Sequence, residues 1–385
     1  MQRISSKVRP NLDQVAKENG FEFHVIDNET YWDESHYYQF TLNQIENDIE
    51  DPTAEIHAMA MDCAAEVFKD EQHLQTLGLP FAYWDYVANS FKQKEPFLYG
   101  RIDLAYNGTG PAKLYEFNYD TPTSLYEAAY FQWLWLEDAK KSGLLAENTD
   151  QYNLIQEKLI ERFASINPDK TMYFASTRGH NEDIGTTEYI RDCATQAGLT
   201  TQFICLEDIG LDQSDQFIDL DYQQINHIFK LYPWEFMFEE EFASFLPLSN
   251  TRWIEPSWKW VLSNKGFLAF LWHKNKGHPN LLETHIEDNS QSQVASGWVR
   301  KQFLSREGAN ITLNAGSGKY LVADGPYAGN KTIRQACHLL PDFDGNFPVI
   351  GSWVVGDEAV GIGIREDLTL ITQDTSRFVP HCIID

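Results

Sequence analysis

Between Tyr99 and Glu127 the chain reads YGRIDLAYNGTGPAKLYEFNYDTPTSLYE, and four polar residues there have the types and spacing for phosphate or metal chemistry. Alternation along a strand sends every second side chain to one face. Arg101 and Asp103 then share a face, with Ile102 and Leu104 opposite, while Glu116 and Asn118 share one with Tyr115 and Phe117 behind them. A hairpin turning symmetrically at Thr109 and Gly110 sets Asp103 opposite Glu116 and Arg101 opposite Asn118. Facing carboxylates repel unless a cation separates them, and an Asp, a Glu and an Asn oxygen make a hard set suited to Mg²⁺. The competing reading is a solvated hairpin face with one salt bridge. Thr121-Pro122-Thr123-Ser124 then breaks the strand, and Ser124 with Glu127 has the spacing of a capping box. The apolar helix behind it, ending near Gly143, is expected to offer amide N–H groups to an anion beside the metal.

The elements that must position this hairpin are mixed in type. An extended FEFHVI run closes the first thirty residues, and from Trp32 the pattern predicts helix. A second helix is expected from Asp51 and Pro52, with Ile56, Met59, Cys63 and Val67 as its buried stripe and Cys63 as packing rather than a nucleophile. Residues 152–166 read as an amphipathic helix. Thr171–Ser176, Thr201–Cys205 and Ile225–Leu231 read as strands, and Thr186–Ala197 as a helix stopped by Gly198. That alternation predicts a small parallel α/β unit. Its first loop carries His180, Asn181, Glu182 and Asp183 beyond a strand's carboxyl end, either as a cation site or as helix-start acids. Residues 283–297 read as a link. Strands at 349–355 and 359–365 turn at Gly356-Asp357, and a further strand is expected at 369–373.

Composition narrows the partners. The 385 residues carry 30 basic and 57 acidic side chains, a net charge of −27, against the basic footprint that nucleic acid or an anionic membrane demands. Five scattered cysteines without a C-x-x-C indicate a reduced compartment, and neither an apolar leader core nor a bilayer-length stretch is evident. The expected location is cytoplasmic. GSGKY at Gly316–Tyr320 lacks the upstream Gly and the Ser/Thr of a Walker A loop, and GIGI at Gly361–Ile364 lacks a dinucleotide fingerprint's third Gly. SREGAN at Ser305–Asn310, with Lys301 before it, is a Gly-bearing turn that can fold N–H groups over phosphates; Lys265 reads as a phosphate or adenine contact or simply as an exposed lysine.

With YGRIDLAYNG, LYEFNYDTPTSLYEAA, WIEPSWKWVLSNK, SREGAN and IGSWVVGDEAVGIGIRED followed by LITQD, the chain resembles the glutathionylspermidine synthase family over nearly its whole length. Within that family it is most similar to the stand-alone bacterial synthetase-like members without an amidase domain. The resemblance implies an α+β / α/β fold, an ATP-grasp-like synthetase with a pre-ATP-grasp-like α/β subdomain. It implies one synthetase unit over 1–385, with a helical part and metal-site hairpin (1–165), an α/β part (166–260) and a nucleotide-binding part (261–385). It also implies an ATP-dependent carboxylate–amine ligase using ATP and Mg²⁺, with a peptide-like acid and a polyamine-like amine as partners.

By resemblance, Asp103, Glu116 and Asn118 match magnesium ligands, and Arg101 the arginine that stabilises the transferring phosphoryl group. Lys265 and Lys301 match phosphate lysines, and Glu307 and Gly308 the loop that covers the phosphates. Gln335, Ala336, Cys337 and His338 match the adenine linker, and Leu370, Ile371 and Thr372 a further nucleotide contact. Thr121, Ser124 and Arg365 match the acid-substrate site, and Glu182 and Asp183 the acidic pair that receives the amine. Two positions depart: Phe236 stands where the bifunctional members have a threonine that contacts glutathione, and Arg377 falls about where an aspartate contacts the polyamine. A nucleotide-binding regulatory or scaffold protein is the alternative.

Overall fold

The three largest of six sheets among the described residues, one of four strands and two of five, position the site, and the hairpin is a shared member of one of them. The computed structural model describes every residue except 27, 167–170, 288–292, 328, 330, 374–375 and 385; part of the segment 283–297 read as a link thus lies outside the described residues, and Thr284–Glu287 within it is a strand, paired with residues 332–335, rather than a link. In chain order the elements used below are β1 (Tyr99–Ala105), β2 (Lys113–Asn118), α1 (Gln132–Lys141), β3 (Met172–Ser176), α2 (Asn181–Gln196), β4 (Thr201–Cys205), β5 (His227–Lys230) and β6 (Arg252–Ile254). They continue with β7 (Thr284–Glu287), β8 (Trp298–Gln302), β9 (Ile311–Gly316), β10 (Lys319–Ala323), β11 (Thr332–Ala336), β12 (Phe347–Val355), β13 (Glu358–Asp367) and β14 (Arg377–Phe378).

The first sheet has the order β14-β13-β12-β1-β2, so the hairpin pairs with strands some 250 residues later in the chain. The second, β6-β5-β3-β4, is parallel throughout, and all five residues of β3 are buried, as a strand covered on both faces must be. The third, β7-β11-β8-β9-β10, is antiparallel. Two large aromatic-rich cores fill the space between the layers, one around Trp234, Trp258 and Trp260 and the other around Trp32, Trp135 and Trp353. Among the described residues no helix is long and apolar enough to cross a membrane.

Several local expectations change. The stretch after Trp32 is a strand, His36–Thr41, because the distant segments Gln2–Ser5 and His381–Ile384 pair with it on either side. The expected helix runs Asp51–Val67 with Pro52 in its first turn, but helix already begins at Leu42: Thr41 and Gln44 form a true capping box, and a π turn at Glu46–Glu50 leads on. Cys63 is buried there, and burial pushes its thiol up to about 12, which suits packing. No capping box forms at Ser124. Its φ is 66°, its hydroxyl lies 3.1 Å from the Tyr31 hydroxyl, and that hydroxyl donates to Glu127 Oε1 at 2.6 Å. Residues 369–373 are not a strand, because the Asp367 carboxylate accepts from the Thr369 amide and the Ser376 hydroxyl and curls the chain instead. Helix α2 starts at Asn181, earlier than the expected Thr186, and draws Glu182 and Asp183 into its first turn.

Candidate active site

The hairpin pairs at the site as its sequence predicts: Arg101 faces Asn118 and Asp103 faces Glu116. Beyond Asp103 a bulge shifts the register, so Leu104 faces Leu114 and the turn is not symmetric. Each carboxylate has its own cation. Arg101 Nε donates to Asp103 at 2.7 Å and its other nitrogens reach Asp103 at 3.1 Å and the Thr123 carbonyl at 2.7 Å. Asn118 Nδ2 donates to Asp103 at 3.0 Å. Glu116 lies 3.5 Å from Lys265 Nζ and 3.9 Å from Lys301 Nζ. Burial opposes ionisation of Glu116, but Lys265, Lys301 and Arg101 outweigh it and hold the carboxyl below its ordinary range.

The hairpin forms one wall of a cavity of about 160 Å³ whose other walls come from the third sheet and from loops after β8 and β13. Lys265 Nζ donates to the Ser305 carbonyl at 2.7 Å, and Lys301 Nζ to the Tyr115 carbonyl at 3.1 Å. Burial and the neighbouring Lys265 ammonium lower Lys301 to about 8, against the pull of Glu116. Five side-chain cations (Arg101, Lys265, Lys301, Arg306, Arg365) and three carboxylates (Asp103, Glu116, Glu307) line the cavity. A positive chamber inside a chain of net charge −27 favours an anion of high charge. Apolar Leu282, Val299, Leu313, Leu340 and Ile371 complete the lining, a surface suited to a flat base.

Of the residues singled out from sequence, Arg101, Asp103, Glu116, Asn118, Thr121, Lys265, Lys301, Glu307, Gly308, Gln335, Ala336, His338, Arg365, Leu370, Ile371 and Thr372 all line this cavity. Cys337 does not. Ser124 lines a small adjoining recess that shares Arg101, Asp103 and Arg365 with it. Glu182 and Asp183 lie outside the lining. Burial and the charges of Glu127 and Asp183 push Glu182 up to about 7, with Arg365 opposing. Arg377 is outside the lining, donating to Glu366 at 2.6 Å and to Asp33 at 3.3 Å.

Sequence reasoning missed Arg306. It stands in the SREGAN turn and lines the cavity, donating to Thr121 Oγ1 at 2.8 Å and to Glu235 at 2.6 Å. An arginine two residues before a glycine in a Gly-bearing turn was the available signal. Tyr115 was also missed: its ring lies 5.2 Å from Lys301 Nζ and its hydroxyl donates to the His338 carbonyl, so it buttresses both Lys301 and the segment ending at His338. Gly308, at φ 69°, has no room for a side chain, since a Cβ would run into the Thr372 carbonyl and the Ile371 side chain.

The glutathionylspermidine synthase preATP-grasp family model matches residues 3–384. Over 403 residues the chain is 38% identical to a candidate acid–amine ligase of Haemophilus influenzae, covering all of both chains. It is 27% identical to the trypanothione synthetase of Crithidia fasciculata over 84% of this chain and 53% of that protein. It is 26% identical to the bifunctional glutathionylspermidine synthetase/amidase of Escherichia coli over 94% of this chain and 60% of that protein. The chain thus spans little more than half the length of these last two relatives. In fold it is similar to a glutathione synthetase-like effector from Globodera pallida, with a TM-score of 0.58 at 10% identity over 98% of this chain and 100% of that one. With the match running nearly end to end, the chain belongs to the glutathionylspermidine synthase preATP-grasp family.

Proposed function

We propose that this cavity uses ATP to activate a carboxylate as its acyl phosphate and passes the acyl group to an amine. Family membership makes the protein an ATP-dependent carboxylate–amine ligase. The observation that carries the mechanism is the meeting of Arg101, Lys265, Lys301 and Arg306 in one apolar-backed cavity beside the Asp103–Glu116 pair.

The lysines and Arg101 are poised to orient a triphosphate and to neutralise the charge that develops as the γ-phosphoryl group moves to the substrate carboxylate. The amine then attacks the acyl carbon and inorganic phosphate leaves. A turn closed by Arg306 keeps out water, which would otherwise hydrolyse the acyl phosphate. Among the described residues no three His, Cys, Asp or Glu side chains converge into a metal cage. Asp103, Glu116 and the Asn118 amide nonetheless fit Mg²⁺, which keeps waters and takes the rest of its shell from phosphates. These three would hold it, and it would supply charge neutralisation on the phosphates. In this reading Gln335, Ala336, His338 and Leu370–Thr372 hold the base, and Thr121, Ser124 and Arg365 hold a peptide-like acid. Glu182 and Asp183 receive a polyamine-like amine. The three subregions 1–165, 166–260 and 261–385 act as one synthetase unit, and five free thiols accord with a cytoplasmic location.

Arg101→Ala tests the mechanism through ADP release with a panel of acids and amines: turnover is abolished while the circular dichroism spectrum is retained. Turnover surviving in that variant overturns the role given to Arg101. The engagement of Arg377 by Glu366 and Asp33 favours a second reading, an ATP-binding regulatory or scaffold protein that has lost its acceptor site. Tight Mg-ATP binding without turnover on any acid–amine pair supports that reading.

A further inference from the structure

A second cavity, of about 280 Å³, lies over the parallel sheet and shares no lining residue with the first. It is lined by Thr177 just after β3, by Glu207 just after β4, by Tyr232 just after β5 and by Trp253 within β6. The chain steps from β3 to β4 on one side and later places β5 on the other side of β3, so the strand order reverses here. Crevices at the carboxyl ends of strands, where the order reverses, are where open α/β sheets take ligands.

The walls are aromatic. Phe217 meets Trp253 edge-on at 5.3 Å, Tyr232 and Phe242 add two more rings, and aliphatic side chains such as Leu206 and Met237 fill in between. Trp253 is 5% exposed, and its Nε1–H is buried without a hydrogen-bond partner. The only charged side chains in the lining are two carboxylates, Glu207 and Glu240, both exposed at the mouth. Glu240 accepts from the Tyr232 hydroxyl at 2.5 Å, and Glu207 accepts from the Arg178 amide at 3.1 Å. No cation stands in the lining; the Arg178 guanidinium, paired with Asp208 at 2.7 Å, also acts on Glu207 from outside it. An apolar void of about 150 Å³ already admits benzene, so this one has room for a ring and a short arm. Aromatic faces and a pair of carboxylates, with no cation in the lining, both select a positive charge.

We propose that this cavity is a binding site for an aromatic organic amine in its ammonium form, distinct from the reaction cavity. The ring packs among Phe217, Trp253 and Phe242, and the ammonium lies between Glu207 and Glu240. A ring contact of 5.7 Å joins Tyr232 to Phe236, whose ring lies 5.8 Å from the Arg306 guanidinium, so the two cavities share a wall rather than a lining.

Calorimetric titration of the full chain with phenethylammonium chloride tests the proposal, with phenethyl alcohol and phenylacetate as neutral and anionic counterparts. The ammonium is expected to bind saturably, the alcohol more weakly and the anion not at all. Because Glu207 and Glu240 are exposed, the double variant Glu207→Gln/Glu240→Gln keeps its fold and should lose about tenfold in affinity, roughly 1.4 kcal/mol. Saturating Mg-ATP and the Glu182→Gln variant should leave the titration unchanged. Absence of saturable binding, equal binding of ammonium and alcohol, or competition with Mg-ATP each overturns the assignment. ADP release by the double variant on the ligase substrates is expected to persist, which separates failure here from failure of the ligase reading.

Discussion

Arg306 donates to Glu235 at 2.6 Å and so ties the turn that roofs the reaction cavity to the α/β layer. Its second partner, Thr121, belongs to the loop after the site hairpin. One guanidinium therefore clasps three parts of the chain, and both Arg306 and Glu235 are largely shielded from solvent. A partly buried, hydrogen-bonded pair of this kind is expected to hold geometry more than it adds stability. Glu235→Ala should loosen the roof and admit water to the acyl phosphate. The ratio of ADP released to amide formed should rise several-fold, read by a coupled ADP assay against mass-spectrometric product counts. An unchanged ratio would remove the clasp from the mechanism.

Two titrations should bracket activity. Glu182, pushed up to about 7 by burial and by Glu127 and Asp183, becomes a carboxylate only as the pH rises through that value, and only then attracts an ammonium. Lys301, lowered to about 8 chiefly by burial, loses its positive charge above that value and with it part of its hold on phosphate. The free enzyme's kcat/KM should therefore rise through the lower value and fall above the higher one. Glu182→Gln should flatten the acid limb in the amine's kcat/KM, and Lys301→Arg the alkaline limb in that of ATP. A profile untouched by either change would disconnect these groups from turnover.

Gly351 sits opposite Asp103 on the neighbouring strand, and a Cβ there would lie 2.6 Å from Arg101 Cδ. Contacts that close force the arginine aside. Gly351→Ala should lower turnover by about 10²-fold, the scale on which one misplaced charge-stabilising donor is felt. Steady-state ADP release measures this, and near wild-type turnover would show that Arg101 need not be held in its present rotamer.

Lys230 and Asp120 form a fully buried pair at 2.6 Å, and Asp120 also accepts from the Trp234 amide at 2.7 Å. Removing one charge strands the other without water. Lys230→Met should cost about 3–5 kcal/mol in urea unfolding, and adding Asp120→Leu should return part of the loss. A single variant as stable as the parent would mean that Asp120 finds another donor or takes a proton at little cost.

The hairpin and its four polar residues were legible in the chain because strand alternation and turn length are local properties: Arg101 with Asn118 and Asp103 with Glu116 follow from counting. The parallel strands and the cavity-lining lysines were legible for the same reason, through apolar runs and short motifs. Elsewhere tertiary contacts decided. Tyr31 reaches Ser124 and Glu127 from almost a hundred residues away and replaces the expected capping box. His36–Thr41 is a strand only because segments near the two ends of the chain pair with it. Arg306 became visible as a clasp once Glu235 and Thr121 were brought beside it, and the aromatic cavity over the parallel sheet exists only where the carboxyl ends of its strands meet. Sequence alone determined which groups could handle phosphate, because that depends on residue type and short spacing. The fold decided which of them share one low-dielectric chamber and which lie outside it, because long-range pairing and burial are properties of the assembled chain.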